Sequence, residues 1–372
     1  MSEPEVLELV NPTHVLDRGR RLVYFGGSDY LRLSWHPWVR AALVRAARRR
    51  CINVASSRLT TGNDPIFSRL EAGLAQFLGF EAATLTSAGY TAPLAVAQAL
   101  EGHFTHALVD EKAHGCLHDA AIFVGARTST FRHDDPEDLA LRARKLGRRS
   151  RLIVLTDGLS PLEGTVPPLQ RYLKALPRSA TLLVDDAHGV GVLGDGGRGV
   201  LELLGVEDPR VVLTLTLSKT LGCQGGVVLG SSSLRSAIWE RSRVFASSTP
   251  LPLPIAETAQ IALRILRNSR IRRNRLQTNV KMLGEAFSAC PPGSPGRPGP
   301  MFTVAPESDA PQEALRHSLL EAGIYPVLIR YANGPADRFF RFAVSSEHTK
   351  AQIVRLRDVL AEHFSRYPLR GA

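Results

Sequence analysis

The sequence predicts an α/β fold: a large, mainly parallel sheet domain covered by helices, followed by a smaller α+β unit at the carboxyl end. Three observations predict it. Short apolar, β-branched runs alternate with helical patterns through the first two thirds of the chain. Those runs are apolar at successive positions, as strands covered on both faces are. Near Phe245 the texture changes to a proline-broken stretch, a long helical pattern and one aromatic strand. A chain of 372 residues, 44% hydrophobic and 22% charged, has room for one large domain and a small one.

Taken in order, the opening "MSEPEVLELVNPTHV" is acidic and lacks a basic stretch followed by an apolar core. It is no secretory signal, and the cytoplasm is the expected location. No apolar run approaches the length that spans a bilayer, so no membrane partner is expected. "AATLTSA" reads as the first strand and "PLAVAQALEG" as the helix after it. "HALVD", "RLIVLTD", "ATLLVDDA", "RVVLTLTLS" and "GGVVLG" read as further strands. "SSTPLPLP" then breaks the chain, and a single long helix is expected from about Ile255 to Phe287. "CPPGSPGRPGP" is a stiff loop before "MFTVAP", "FFRFAVS" a strand, and "TKAQIVRLRDVLAEHF" a closing amphipathic helix. Ile353, Leu356, Val359, Leu360 and Phe364 share the apolar face of that helix. The expected domains are an amino-terminal segment 1–45, a large domain 46–245 and a small one 246–372, without internal repeats.

A formal charge of +11 invites a nucleic-acid partner. The pattern argues against one. Of the 46 basic residues only six are lysine, and the arginines are spread along the chain, densest in "RILRNSRIRRNRLQ", which reads as a solvated helix face. No nucleic-acid-binding motif accompanies them. Anionic small substrates explain the charge equally well. Cys51, Cys116, Cys223 and Cys290 lie too far apart for a disulfide framework or a cysteine zinc site. The H-x-x-x-H spacing of His114 and His118, with Cys116 between them, has no third ligand pattern nearby, so no metal is expected.

The chemistry concentrates at two strand ends. "TLLVDDAHGVGVLGDGG" puts Asp185, Asp186 and His188 at the carboxyl end of an apolar strand, where open α/β sheets bind ligands. Gly189, Gly191 and Gly194 fit G-x-G-x-x-G, yet the "DGGRG" that follows cannot start the helix a dinucleotide site needs. A carboxylate at a strand end is by itself more often a loop cap. Lys219 changes that balance. Among the six lysines it alone is framed by strands, in "VVLTLTLSKTLGCQGGVVLG". Partial burial there lowers a lysine's pKa and frees the neutral amine for a Schiff base. Such a lysine points to pyridoxal 5'-phosphate, whose ring is an electron sink only while its nitrogen stays protonated. Asp185 would hold that proton and His188 would bond the ring phenolate. Thr216 and the tight turn at Gly89 and Tyr90 would take the phosphate.

"VDDAHGVGVLG", "TLSKTLGCQGG", "LTSAGY" and "DEKAHGCLHDAA" together resemble the α-oxoamine synthases. The resemblance runs in one order from "SDYLRLSWHP" to "FFRFAVSSEHT". It implies the pyridoxal-phosphate fold type I, which is aspartate-aminotransferase-like, and a homodimer. It also implies a decarboxylative condensation of a small amino acid with an acyl thioester, giving an α-amino ketone. Carried over by position, Lys219 is the Schiff-base lysine, Asp185 the partner of the ring nitrogen and His188 that of the phenolic oxygen. His114 stacks on the ring, and Thr216, Gly89 and Tyr90 contact phosphate. Ser247 is a contact expected across the dimer. Arg341 binds the amino-acid carboxylate, and Ser28 lies on the substrate side. The departures fall mostly on that side. Ser28 stands where the family usually has asparagine, Arg32 where it has glycine, Pro161 where it has serine, Phe67 where it has histidine, and Ala113 where asparagine is common. A glycine-rich stretch has become "INVASSRL". The amino acid and the acyl carrier, coenzyme A or a carrier protein, stay open. So do another reaction on this fold, such as transamination, and a non-catalytic partner subunit.

Overall fold

The computed structural model describes residues 6–147, 149–287, 298–331 and 334–368. Cys290 and most of the proline-glycine loop anticipated at 290–300 lie outside these. By internal contacts the chain divides into two units. The larger comprises His36–Ser160 and Val166–Arg270; the smaller comprises Met1–Trp35, Pro161–Thr165 and Ile271–Ala372.

The larger unit is built on a seven-stranded sheet. Its order is Ala82–Thr86, Gly226–Gly230, Val211–Thr216, Thr181–Asp185, Leu152–Asp157, His106–Asp110 and Arg127–Phe131. Gly226–Gly230 runs antiparallel to both its neighbours, and the other strands share one direction. The six strands expected from apolar runs are all present. Leu152–Asp157 and Val211–Thr216 are buried at every residue, which is why they read as unbroken apolar runs. The edge strand Arg127–Phe131 was not anticipated. Four of its five residues, "RTST", are exposed, so it carries no hydrophobic period. Alanine-rich helices Thr91–Ala99 and Gly115–Phe123 pack closely over Ala107, Ile153 and Leu183.

The single helix expected over 255–287 is instead two, Leu253–Arg267 and Arg270–Phe287. Side chains at the junction explain the break. Asn268 Nδ2 donates to the Arg264 carbonyl at 3.0 Å and Ser269 Oγ to that of Ile265 at 2.6 Å, capturing acceptors that a continuing helix uses.

The smaller unit holds two three-stranded antiparallel sheets. Glu8–Asn11, His14–Asp17 and Arg20–Val23 form the first, which the sequence did not announce. In the second, Phe339–Ala343 lies between Met301–Val304 and Leu328–Ile329. The closing helix Lys350–Arg366 starts at a capping box of Thr349 and Gln352 and buries Ile353, Leu356, Leu360 and Phe364, with Val359 half-buried. Among the described residues no helix is long and apolar enough to cross a membrane.

Candidate active site

Three neighbouring strands of the larger unit, His106–Asp110, Leu152–Asp157 and Thr181–Asp185, each end in a buried aspartate. Asp157 and Asp185 face each other in register. Asp185 accepts the Ala187 N–H through Oδ1 at 3.0 Å and faces the Cys116 thiol through Oδ2 at 3.6 Å. Burial pushes its pKa up, and the charge of Lys219 pulls it back. Asp157 accepts the His114 N–H at 2.8 Å; burial, and then the charge of Asp185, raise it well above the usual carboxylate range.

His114 caps the Gly115–Phe123 helix, its Nδ1 accepting the Cys116 N–H at 3.2 Å. In the neutral ring the proton therefore sits on Nε2. Burial holds His114 below the ordinary imidazole range, against the opposing pull of Asp185. The Tyr90 ring meets it edge-on at 6.1 Å, and the Tyr90 hydroxyl donates to Asp119, which pushes the phenol to about 12.

Lys219 sits half-buried in the connection between Val211–Thr216 and Gly226–Gly230. That connection is closed by Cys223 N–H to the Leu217 carbonyl and Leu217 N–H to the Gly225 carbonyl, both at 2.9 Å. The lysine's charge acts on His114, Cys116, Asp157 and Asp185 alike. Thr216 and Gly89 are packed against each other: a Cβ at Gly89 would stand 2.6 Å from Thr216 Cβ and 2.7 Å from its Oγ1. The turn holding Gly89 and Tyr90 leads into the Thr91–Ala99 helix.

His188 is buried in the turn after Asp185, and Asp186 pins that turn. Its Oδ2 accepts the Val200 N–H at 2.8 Å. Its oxygens are walled by Gly158, Gly189 and Gly199, where an added Cβ would come within 2.6, 2.0 and 1.9 Å of them. Ser247 is exposed after the short Arg243–Ala246 helix and bonds none of these residues within the chain.

In the smaller unit, Arg341 donates from Nε to the Pro161 carbonyl at 2.8 Å. The side chains of Ser28 and Arg341 both contact the buried Tyr30 hydroxyl, so these two predicted residues are brought together. Sequence reasoning missed Asp110 and Asp157, and gave Cys116 no part beside Asp185. The signal was present: "HALVD" and "LIVLTD" end as "TLLVD" does.

The larger unit's arrangement suits a phosphorylated, cationic ring. Asp185 is a buried carboxylate opposed chiefly by a half-buried lysine. The turn at a helix amino terminus has a glycine where no Cβ fits and the hydroxyls of Thr216 and Ser218 beside it, 2.8 Å apart.

Comparison with known proteins agrees. The profile of the family described as aminotransferase class I and II matches residues 20–360. An 8-amino-7-oxononanoate synthase of Thioalkalivibrio sulfidiphilus is 36% identical over 94% of this chain and 90% of its own length. One from Methylobacterium radiotolerans is 37% identical over 92% and 88%. A Sphingomonas wittichii serine palmitoyltransferase superposes with a TM-score of 0.89, at 27% identity over 96% of this chain and 91% of its own. The S. paucimobilis enzyme, solved with a bound PLP–myriocin aldimine, does so at 0.89 and 26% over 97% and 92%. The chain thus belongs to the aminotransferase class I and II family and, within it, to the α-oxoamine synthases.

Proposed function

We propose that this chain is a pyridoxal 5'-phosphate-dependent acyltransferase with the substrates of an 8-amino-7-oxononanoate synthase. The observation that carries the reading is Asp185, buried at a strand end and opposed chiefly by the charge of Lys219, in a chain whose relatives bear that name. The proposed substrates follow from counting atoms in the product that the relatives' name specifies. The methyl-bearing amino carbon comes from alanine after loss of its carboxylate, and the remainder from a seven-carbon acyl thioester that itself ends in a carboxylate. One bond forms, between the alanine α-carbon and the thioester carbonyl. Two break, releasing carbon dioxide and a thiol of coenzyme A or a carrier protein.

When bound, the cofactor supplies an electron sink for negative charge at the amino acid's α-carbon. The side chains do the rest. Lys219 would hold the cofactor covalently, and its amine would remove the amino acid's α-proton and later return it. Asp185 keeps the ring nitrogen protonated, because a buried negative charge raises the pKa of a cation beside it. His188 would bond the phenolic oxygen and His114 would pack against the ring. Thr216 with the N–H groups of Gly89 and Tyr90 holds the phosphate, joined by Ser247 across a homodimer. Arg341, with Ser28, orients the amino-acid carboxylate; its Nε bond to the Pro161 carbonyl and its contact with the Tyr30 hydroxyl fix the guanidinium for that task. The larger unit serves as the cofactor-binding domain, and the homodimer works in the cytoplasm on small molecules, without nucleic acid or membrane.

The test is purified protein given cofactor, alanine and a heptanedioyl thioester, with thiol and carbon dioxide measured together. Equal amounts are expected. A keto acid accumulating without thiol would make the protein an aminotransferase.

A further inference from the structure

Arg32 in the smaller unit is held at a cost, and the function proposed above gives it no task. Its backbone is left-handed, with φ at +52°, a conformation that glycine adopts freely and arginine does not. It is also only 6% exposed. Its one side-chain hydrogen bond is a long one, from Nη2 to the Gly26 carbonyl at 3.4 Å, and its buried Nε has no partner. Among the described residues no carboxylate lies within ion-pair distance of it. The acids whose charge reaches it are engaged elsewhere: Asp29 accepts from Leu33 and Ser34, and Glu347 pairs with Arg272. An unpaired buried cation is expensive, and glycine at this position would remove both costs.

The surroundings point to what the cation is for. A carbon at the Cβ position of the exposed Gly27 would stand 4.0 Å from Arg32 Nη1 and 4.0 Å from the Tyr24 ring, so on this side Nη1 lies within ordinary van der Waals distance of an exposed glycine. Tyr24 lies in the fields of both Arg32 and Arg341. The smaller unit thus offers two guanidiniums to one neighbourhood, and the substrate pair carries two carboxylates. One belongs to the amino acid and has Arg341. We propose that Arg32 is a specificity-determining residue that receives the distal carboxylate of the acyl chain. The inference rests on the proposed function for the identity of that chain.

The test uses the holoenzyme, Arg32→Gly and Arg32→Gln. Each is assayed with alanine and two thioesters of equal length, one ending in carboxylate and one in methyl. Binding of free heptanedioate and heptanoate is measured in parallel by calorimetry. The unaltered enzyme prefers the carboxylated chain. Both variants lose about 10- to 100-fold of that preference, the span of a hydrogen bond to a charged group, chiefly through KM, and heptanedioate binding weakens by a similar factor. Arg32→Gly melts at the same temperature or higher, because the left-handed position now holds the residue suited to it. A variant that keeps the preference and the heptanedioate affinity overturns the proposal. So does an Arg32→Gly protein that melts lower with its selectivity unchanged, for then Arg32 is structural. Should no thioester release thiol from the unaltered enzyme, the proposed function fails, while heptanedioate binding still decides the role of Arg32.

Discussion

Arg58 in the larger unit and Arg32 in the smaller are buried to nearly the same degree, 4% and 6% exposed, and are treated in opposite ways. Each guanidinium nitrogen of Arg58 has an acceptor within the chain. Its two terminal nitrogens bond Glu71, its Nε donates to Asn63 at 3.0 Å, and the rings of Phe67, Trp239 and Phe245 lie 4.9–5.8 Å from it. Glu71 in turn accepts the Leu85 N–H at 2.9 Å and so ties a helix to a strand. The Arg32 guanidinium has one long bond and a buried Nε without a partner. A buried ion with all its partners inside the chain is part of the fold, whereas one left short of partners is directed at something the chain does not contain. The acids at the strand end differ in another way: Asp186 bonds the Val200 N–H through Oδ2 and leaves Oδ1 buried without a partner inside a wall of glycines, while Asp185 is opposed mainly by a lysine.

Changes at open residues should therefore damage chemistry, and changes at closed ones should damage folding. The largest expected effect is at Lys219. Lys219→Ala should lower turnover roughly ten-thousand-fold or more with an unshifted melting temperature, and borohydride reduction of the unaltered protein should fix the cofactor to Lys219 in peptide maps. A label on another lysine ends the proposed mechanism. Next comes Glu71→Ala, which strands Arg58 and should cost about 3–5 kcal/mol in denaturant unfolding, with kcat of the folded fraction preserved. Should it instead unfold no more easily, the closed-versus-open distinction fails at its clearest case.

Asp185→Asn should bind cofactor yet lose about 100- to 1,000-fold in α-proton exchange, the scale of one preorganised electrostatic contact. Asp186→Asn keeps an oxygen for the Val200 N–H and should lose less than about tenfold. Equal losses would mean that the wrong aspartate has been assigned to the ring nitrogen. The smallest effect is one of pH. Burial raises Asp186 well above the usual carboxylate range. Its contribution to stability is therefore complete below the unfolded value, near 4, and is lost as pH rises toward the folded one. Asparagine has no such loss, so the melting temperature of Asp186→Asn relative to the unaltered protein should climb from pH 5 to pH 8. A flat or falling difference would show Asp186 to be ionised and compensated.

What could be read from the sequence follows the same physics. Thr181–Asp185 and Val211–Thr216 are covered on both faces, so their composition alone declares them strands, and Asp185 and Lys219 stand out because they end or follow such runs. Glu8–Asn11 is almost wholly exposed and Arg127–Phe131 lies at a sheet edge; neither needs an apolar pattern, and neither could be seen. The break at Asn268 and Ser269 depends on side-chain bonds to the preceding turn, which residue types permit without requiring. Arg32 was visible as a departure from a family pattern. Its burial without a partner was not, because which charges meet inside a fold is decided by residues far apart in the chain.

The glycine wall around Asp186 has a consequence for how this sequence can drift. Gly189 has no left-handed backbone to protect, and the three atoms nearest a Cβ placed there all belong to Asp186, so the carboxylate forbids a side chain; at Gly158 Val200 Cγ1 stands in the way as well, at 2.8 Å. Alanine at position 189 is excluded while residue 186 is aspartate and becomes admissible once that side chain is shortened. The effect of such a change therefore has no fixed sign. It is an epistatic unit in which the order of substitutions, and not only their identity, determines which descendants can fold.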